Sequence, residues 1–177
     1  MTEIEFYPLR LGAKAVISET DAPFVLRYKW HLKRRVHKNG RVDSYAARWE
    51  SDPAGKRRRV LMHHDVTRRK YGEQLRRHID HRDGNGLNNR RRNLRWATQA
   101  QNQWNSGPHR NNSSGFKGVC FDRGNKTGAK KWKAKIECHG RQINLGRFLT
   151  AEEAAIAYNE AALRLFGPFA RTNPAPC

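Results

Sequence analysis

The chain has 177 residues, of which 36 are Lys or Arg and 16 are Asp or Glu, giving a formal net charge of +20. Self-repulsion on that scale disfavours a compact state unless a polyanion neutralises it. Nucleic acid is therefore the expected partner, because each neutralised phosphate releases a counterion and adds affinity; an anionic membrane surface is the competing one. No stretch approaches the roughly 18 consecutive apolar residues of a spanning helix. Residues 1–8 carry two acids and no apolar signal core, so secretion is not expected, and Cys120, Cys138 and Cys177 are too widely spaced for a disulfide framework or a zinc ribbon. These features together point to a reducing cytoplasm. Hydrophobic residues reach only 37%, too few for one large core, but aromatics reach 10% with five Trp, which disordered basic tails lack. Small folded modules with basic surfaces are expected.

In chain order, strands are predicted at Ala15–Ile17, Lys29–Leu32, Tyr45–Trp49 and Val60–Met62. A short helix is predicted from Asp21 to Tyr28, capped by Thr20 or Asp21, with turns at His37–Gly40 and Asp52–Gly55. From Thr67 to Asn105 the chain is dense in Arg, Asn and His, and Asp83-Gly84-Asn85-Gly86 breaks regular structure. The small polar residues from Asn105 to Gly115 read as a linker. Three further strands follow at Phe116–Phe121, Lys131–Glu137 and Arg141–Phe148, with turns at Gly124–Gly128 and His139-Gly140. A helix then opens on a Thr150/Glu153 capping box, shows an apolar stripe of Ala154, Tyr158, Ala161, Ala162, Leu165 and Phe166, and stops at Gly167-Pro168.

The chemistry concentrates between His78 and Asn102. Phosphodiester hydrolysis needs a base to take a proton from water and a cation to neutralise charge on the phosphate and leaving oxygen. Histidine titrates near working pH, and a carboxylate with an amide oxygen makes a hard donor set for Mg²⁺. Asp80, His81 and Asn102 supply those groups. Adjacent residues on a regular strand point to opposite faces, so Asp80 and His81 can serve one phosphate only if the strand ends near Ile79. The bland alternative is turn chemistry, since Asn near Gly is common in turns and an isolated Asp-His pair means little.

The run from Ile79 to Asn102 resembles the HNH homing-endonuclease signature, in which two strands and a helix grip one metal. Ile79-Asp80-His81 matches the first strand end, Asn88-Asn89 with Asn93-Leu94-Arg95 the middle, and Thr98 to Asn102 the helix. The resemblance implies Asp80 and Asn102 as ligands of Mg²⁺ (or Mn²⁺), His81 as general base, and Asn93 as the residue that orients it or fixes the loop. Met62-His63 is similar to the Leu-His-Arg stretch that often precedes the motif, which makes His63 a structural residue or a phosphate neighbour. His78 could mimic a zinc ligand, but the missing paired cysteines argue against structural zinc. No small-molecule cofactor is implied. The Arg runs 57–59, 68–69, 76–77 and 90–92 are read as phosphate contacts, and so are Arg82, Arg90 and Arg95.

The segment from Ser114 to Asn173 is similar to the plant Apetala/ethylene-response-factor (ERF) DNA-binding domain, which phage HNH nucleases also carry. The matching residues are Gly115-Phe116-Lys117-Gly118-Val119, Trp132–Ile136, Leu145–Phe148 and Glu152–Tyr158. That family lays its sheet in the major groove of double-stranded DNA. Lys131, Lys133 and Lys135 alternate with Trp132, Ala134 and Ile136, so one strand offers a basic face. Lys117, Arg123, Arg141 and Arg147 are expected to join it, with Asn144 as a base reader.

The expected fold class is α+β: a β-rich N-terminal region (1–66), an HNH ββα-metal nuclease core (67–105), a linker (106–114) and a three-stranded antiparallel sheet packed on one helix (115–173). The N-terminal region is assigned a DNA-contacting or bracing role. The function implied is a site-directed DNA endonuclease, active as a monomer that nicks, with a dimer or sequential cuts needed to break both strands; a phage gene would place it in the bacterial host cytoplasm. The rival readings are a non-cleaving, sequence-specific transcription regulator with a degenerate HNH core, and an RNA-binding or ribosome-associated basic protein.

Overall fold

Two strands open the chain, β1 (Glu3–Leu9) and β2 (Ala13–Ser18), paired antiparallel with a register shift between Phe6 and Pro8. The structure, a computed structural model, describes residues 3–9, 13–37, 40, 42–72, 78–109, 111–124 and 129–174. Lys38-Asn39 of the predicted His37–Gly40 turn, Arg76-Arg77, residues 125–128 of the predicted Gly124–Gly128 turn and Cys177 lie outside the described residues. The architecture is α+β, and the chain divides into two compact units between Thr98 and Gln99.

In the first unit a 3-10 turn (Glu19–Asp21) leads into α1 (Ala22–Val25), shorter than the expected helix. The Asp21 side chain caps nothing there. It is fully buried, and its carboxylate takes the Arg91 guanidinium in a two-point ion pair, Nε to Oδ2 and a terminal nitrogen to Oδ1, both at 2.8 Å. The expected strand at Lys29–Leu32 starts later, as β3 (His31–Val36), because the Trp30 indole turns back to donate to the Val25 carbonyl at 2.8 Å. Strands β3, β4 (Val42–Ser51) and β5 (Arg57–Leu61) form one antiparallel sheet in that order.

Met62, expected to end a strand, instead begins α2 (Met62–Tyr71). Met62, His63, Val66 and Thr67 are buried at helical spacing, while Arg68, Arg69 and Lys70 fill the last turn, where positive charge suits the helix dipole. So much charge within ten residues hides the apolar stripe from a pattern reading. After the break at Gly72, β6 (His78–His81) pairs antiparallel with β8 (Leu94–Ala97), and the two residues of β7 (Asn88–Asn89) pair parallel with β2.

One core joins these pieces: Ala15 and Ile17 of β2, Val25, Trp30, Ala46 of β4, Met62 and Val66 of α2, and Leu94 of β8. Strand β2 therefore braces β8 directly. Ser18 Oγ adds to this by accepting the Arg91 backbone N–H at 2.9 Å.

The second unit contains α3 (Gln99–Trp104), strands β9 (Val119–Phe121), β10 (Trp132–Cys138) and β11 (Arg141–Phe148), and α4 (Ala151–Phe166). The sheet is antiparallel with β10 central. Ala134 and Ile136 of β10 pack with Ala154, Tyr158, Ala161 and Ala162 of α4. The capping box forms: Glu153 N–H donates to Thr150 Oγ1 at 3.1 Å and Glu153 Oε2 accepts from Leu149 N–H at 3.1 Å. His139 (φ 50°) and Gly140 (φ 73°) make the two-residue turn between β10 and β11, the conformation that matches strand twist.

Residues 106–114, expected as a flexible linker, carry specific bonds. Asn112 Nδ2 donates to the Phe116 carbonyl (2.6 Å) and Ser114 Oγ to that of Val119 (2.9 Å). The Trp104 ring stacks on Phe166 with centroids 4.5 Å apart. These contacts put α3 in the second unit rather than with the hairpin that precedes it in sequence.

Candidate active site

The pairing of β6 and β8 is regular: Ile79 opposes Trp96, Asp80 opposes Arg95 and His81 opposes Leu94. The expectation that the strand ends near Ile79 is overturned, since pairing continues through His81 and the turn begins at Arg82. Asp80 and His81 accordingly lie on opposite faces of the hairpin. Asp80 is buried, and Arg95, directly across, holds its Oδ2 through Nε (2.7 Å) and a terminal nitrogen (2.6 Å). Arg95 is equally buried, so it anchors Asp80 and is not available to contact phosphate as the sequence suggested.

His81 faces a cluster of rings. The His63 imidazole meets it edge to face at 5.0 Å and Tyr45 of β4 lies at 6.2 Å. Tyr45 also touches His63, with centroids 5.5 Å apart. Burial pushes the His81 pKa below its usual value, although a hydrogen bond with Asn89 and the charges of Asp83 and Asp80 pull the other way. Its imidazole is therefore neutral at pH 7. Burial drives His63 further down, helped by the nearby His81, His64 and Lys33, and its Nδ1 is buried with no hydrogen-bond partner. His63, set aside as structural or near a phosphate, is the immediate neighbour of His81. Tyr45 was missed, because nothing in local spacing links a residue of β4 to β6.

The loop from Arg82 to Asn93 is tied by side-chain amides. Asn93 Oδ1 accepts the Asp83 N–H at 3.1 Å, and its Nδ2 donates to Asp83 Oδ1 (2.9 Å) and to the Asn88 carbonyl (2.7 Å). Asn93 thus fixes the loop. Burial alone would raise the Asp83 carboxyl, but hydrogen bonds from Asn85, Asn88 and Asn93 outweigh it and hold it below the usual range. A side chain at Gly86 would meet the Ser44 carbonyl at 2.5 Å and the Tyr45 ring at 2.7 Å, so the loop passes Tyr45 closely only because that residue is glycine. Arg82 is exposed, Arg90 is half-buried, and Arg91 is spent on Asp21. His78 is exposed at the start of β6.

Asn102 sits on α3, where its Oδ1 is buried without a hydrogen-bond partner. A buried, unsatisfied amide oxygen costs free energy unless something binds it, and a hard oxygen donor of this kind suits a divalent cation. Among the described residues, no group of three His, Cys, Asp or Glu side chains is close enough to hold a metal.

In the second unit, register sorts the expected DNA-facing residues. Lys133 aligns with Cys120 and Arg147, and Lys135 with Asn144, on the face away from Ala134 and Ile136. Arg141 falls in the row of Cys138 and so belongs to the other side of the sheet. Lys131 precedes β10, and Arg123 is exposed in the β9–β10 turn. Arg147 pairs with Asp122 at 2.8 Å. Lys117 does not face outward: its ammonium donates to the carbonyls of Trp104 (2.6 Å) and Ser106 (2.7 Å). Burial, with Arg171 nearby, pushes its pKa down to about 8. Cys120 and Cys138 are free thiols.

A braced antiparallel hairpin carrying Asp-His, followed by an amide-bonded loop and a short helix with Asn, has clear relatives. A family model described as HNH endonuclease matches residues 60–104. An uncharacterized HNH endonuclease of Acanthamoeba polyphaga mimivirus is 32% identical over 162 residues, covering 92% of this chain and 75% of the viral protein. Protein 3.8 of Escherichia phage T7 is 34% identical over 94 residues, covering 53% of this chain and 74% of that protein. The chain belongs to the HNH endonuclease family. An ethylene-responsive transcription factor of Arabidopsis thaliana is 56% identical over 48 residues, a match spanning 24% of this chain and 30% of that protein. No helix of the described residues is long and apolar enough to cross a membrane.

Proposed function

We propose that the protein is a metal-dependent, site-directed DNA endonuclease of the homing type, in which His81 is the general base. The observation that carries this reading is the placement of His81: buried at the end of β6 against the His63 and Tyr45 rings, within the segment that the HNH endonuclease model matches. A neutral imidazole can take a proton from water, and the charges of Asp83 and Asp80 favour the charged form that results. His63 and Tyr45 keep the ring in place and exclude bulk water from one side. Asn93 holds the loop after His81 in shape through its bonds to Asp83 and Asn88.

The HNH resemblance assigns metal ligation to Asp80, in the first unit, and to Asn102, in the second, each of which would offer an oxygen to Mg²⁺ or Mn²⁺. With β6 regular through His81, Asp80 faces away from His81, so the two serve one phosphate only when the strand end opens from that register. Arg95 fixes the orientation of the Asp80 carboxylate, and Asn102 offers the unsatisfied amide oxygen. When bound, such an ion neutralises charge on the phosphate and the leaving oxygen. Water activated by His81 attacks in line and leaves a 5′-phosphate and a 3′-hydroxyl. The second unit is the ERF-type DNA-binding module, presenting Lys133, Lys135, Asn144 and Arg147 toward double-stranded DNA, with Arg123 and Lys131 at the margin of that face. Arg82 and Arg90 are the phosphate contacts kept near the loop. The rival, a regulator that binds without cutting, predicts DNA affinity with no nicking by the wild type.

Incubation of supercoiled plasmid with protein and Mg²⁺ tests the reading. Wild type nicks the plasmid, and His81→Ala, checked for folding by circular dichroism, loses about 10²–10⁴-fold, the usual share of a general base. Equal nicking by the two proteins overturns the assignment.

A further inference from the structure

The β3–β4–β5 sheet has two unlike faces. In β4, alternate residues Ser44, Ala46, Arg48 and Glu50 share one face with Leu32 and Arg34 of β3 and with Arg58 and Val60 of β5. There Ala46 and Leu32 join the core, and the positive charge is cancelled: Arg48 bonds Asp65 (2.9 Å) and Glu50 (3.1 Å), and Arg58 reaches Glu50 at 2.6 Å. The other face aligns Lys33 with Tyr45, and Trp49 with Arg59, with Arg57 opposite Ser51 at the end of the sheet.

Further along that second face Asp43 takes His37 at 2.6 Å, but around Trp49 the positive charge is not cancelled. Among the described residues, Lys33, Arg57 and Arg59 make no ion pair with a carboxylate. Trp49 is 47% exposed, an unusual position for the largest side chain. The Arg57 and Arg59 guanidinium carbons lie 5.1 and 4.8 Å from the centre of its ring, and the His31 imidazole stacks near it at 6.2 Å. Cation–π contact holds the two guanidinium groups on an apolar platform without neutralising them. Along β4 the same face passes the fully buried Ala47, covered from solvent, before Tyr45, whose ring touches both His63 and His81. Four residues of strand separate Trp49 from Tyr45, about 13 Å, or roughly four phosphates along the axis of one DNA strand.

We infer that the face bearing Lys33, Trp49, Arg57 and Arg59 is a second DNA-binding surface, which grips the phosphate backbone of the strand leading to His81. The occupant is duplex DNA beside the cleaved bond, recognised through charge rather than sequence. This surface rests on the nuclease reading only for what lies at its end, because its affinity for DNA does not require cutting. Arg57→Gln/Arg59→Gln is the decisive variant. Arg34→Gln/Arg58→Gln is its control, removing the same charge from the opposite face.

The full chain is titrated with a labelled 30-bp duplex across a salt series without Mg²⁺, so that nothing is cleaved. The Arg57/Arg59 variant shows a log K against log[salt] slope shallower by about 2 and an affinity about tenfold lower at 0.1 M salt, while the control shifts by less than half as much. Equal loss in both double variants, or none in the first, overturns the inference. A measurement on unaltered protein guards against misfolding: bound DNA protects Arg57 and Arg59 from phenylglyoxal more than Arg34, and equal labelling overturns it too. A chain that passes these tests and never nicks plasmid overturns the nuclease reading and leaves this surface standing.

Discussion

The two units handle charge in opposite ways. The first buries carboxylates and pins each with an arginine: Asp21 with Arg91, Asp65 with Arg48 and Asp80 with Arg95. The second packs alanines against aromatic rings, and its Arg147–Asp122 pair stands half in solvent. Its buried polar residues are amides, Asn105 and Asn173, and Lys117 gives its ammonium to carbonyls. Buried ion pairs are a poor route to stability but fix orientation, which a cleaving site needs more than a binding surface does. The contrast teaches where a substitution hurts.

The largest effect is expected from Arg95→Ala. It strands the Asp80 carboxylate without its partner, and breaking such a pair costs about 3–5 kcal/mol; urea denaturation measures it. A cost below about 1 kcal/mol would mean that water reaches Asp80 and that the contrast between the units is weaker than drawn.

Acid sharpens the comparison next. His63, His81, His64 and His31, all in the first unit, have pKa values lowered by burial. A histidine with a depressed folded-state pKa takes up protons more readily when unfolded. The stability it contributes is complete above about pH 6.5 and falls as pH drops below that, by at most about 1.4 kcal/mol per pH unit for each group. Hydrogen exchange resolved by segment should show protection around β6 and α2 falling between pH 7 and 5. His63→Gln should flatten that dependence.

The second unit responds at the alkaline end. Lys117 titrates at about 8 in the folded chain, against a usual value of 10.5. Between those values the unfolded chain binds more protons, so stability rises with pH across that window. Lys117→Met removes the rise and leaves the Trp104 and Ser106 carbonyls without their donor. Denaturation at pH 8 and pH 10 checks both effects. The smallest change belongs to Arg147→Gln: its pair with Asp122 lies at the surface, where such pairs add little, so thermal unfolding barely shifts while any loss of DNA affinity stands out.

Much of the second unit was legible because its signals are local: alternation in β10, a two-residue turn at His139-Gly140, and a capping box with an apolar stripe in α4. In the first unit the HNH resemblance marked Asp80, His81 and Asn93, and in the second Asn102, but the surroundings of these residues were not legible. The helix at Met62 was hidden by charge within a short segment. The strand at Asp80 was expected to end early, whereas the cross-strand pair with Arg95 carries it through His81.

The sequence by itself determined a strongly basic α+β chain, because composition and short-range pattern suffice for that, and carried a run, Ile79 to Asn102, that resembles the HNH signature. Only the tertiary structure decided which arginines serve carboxylates: Arg91, Arg48 and Arg95. It also decided that α3 packs in the second unit, and that Tyr45 and His63 enclose His81. Those outcomes depend on strand register and burial between residues far apart in the chain, which no local pattern encodes.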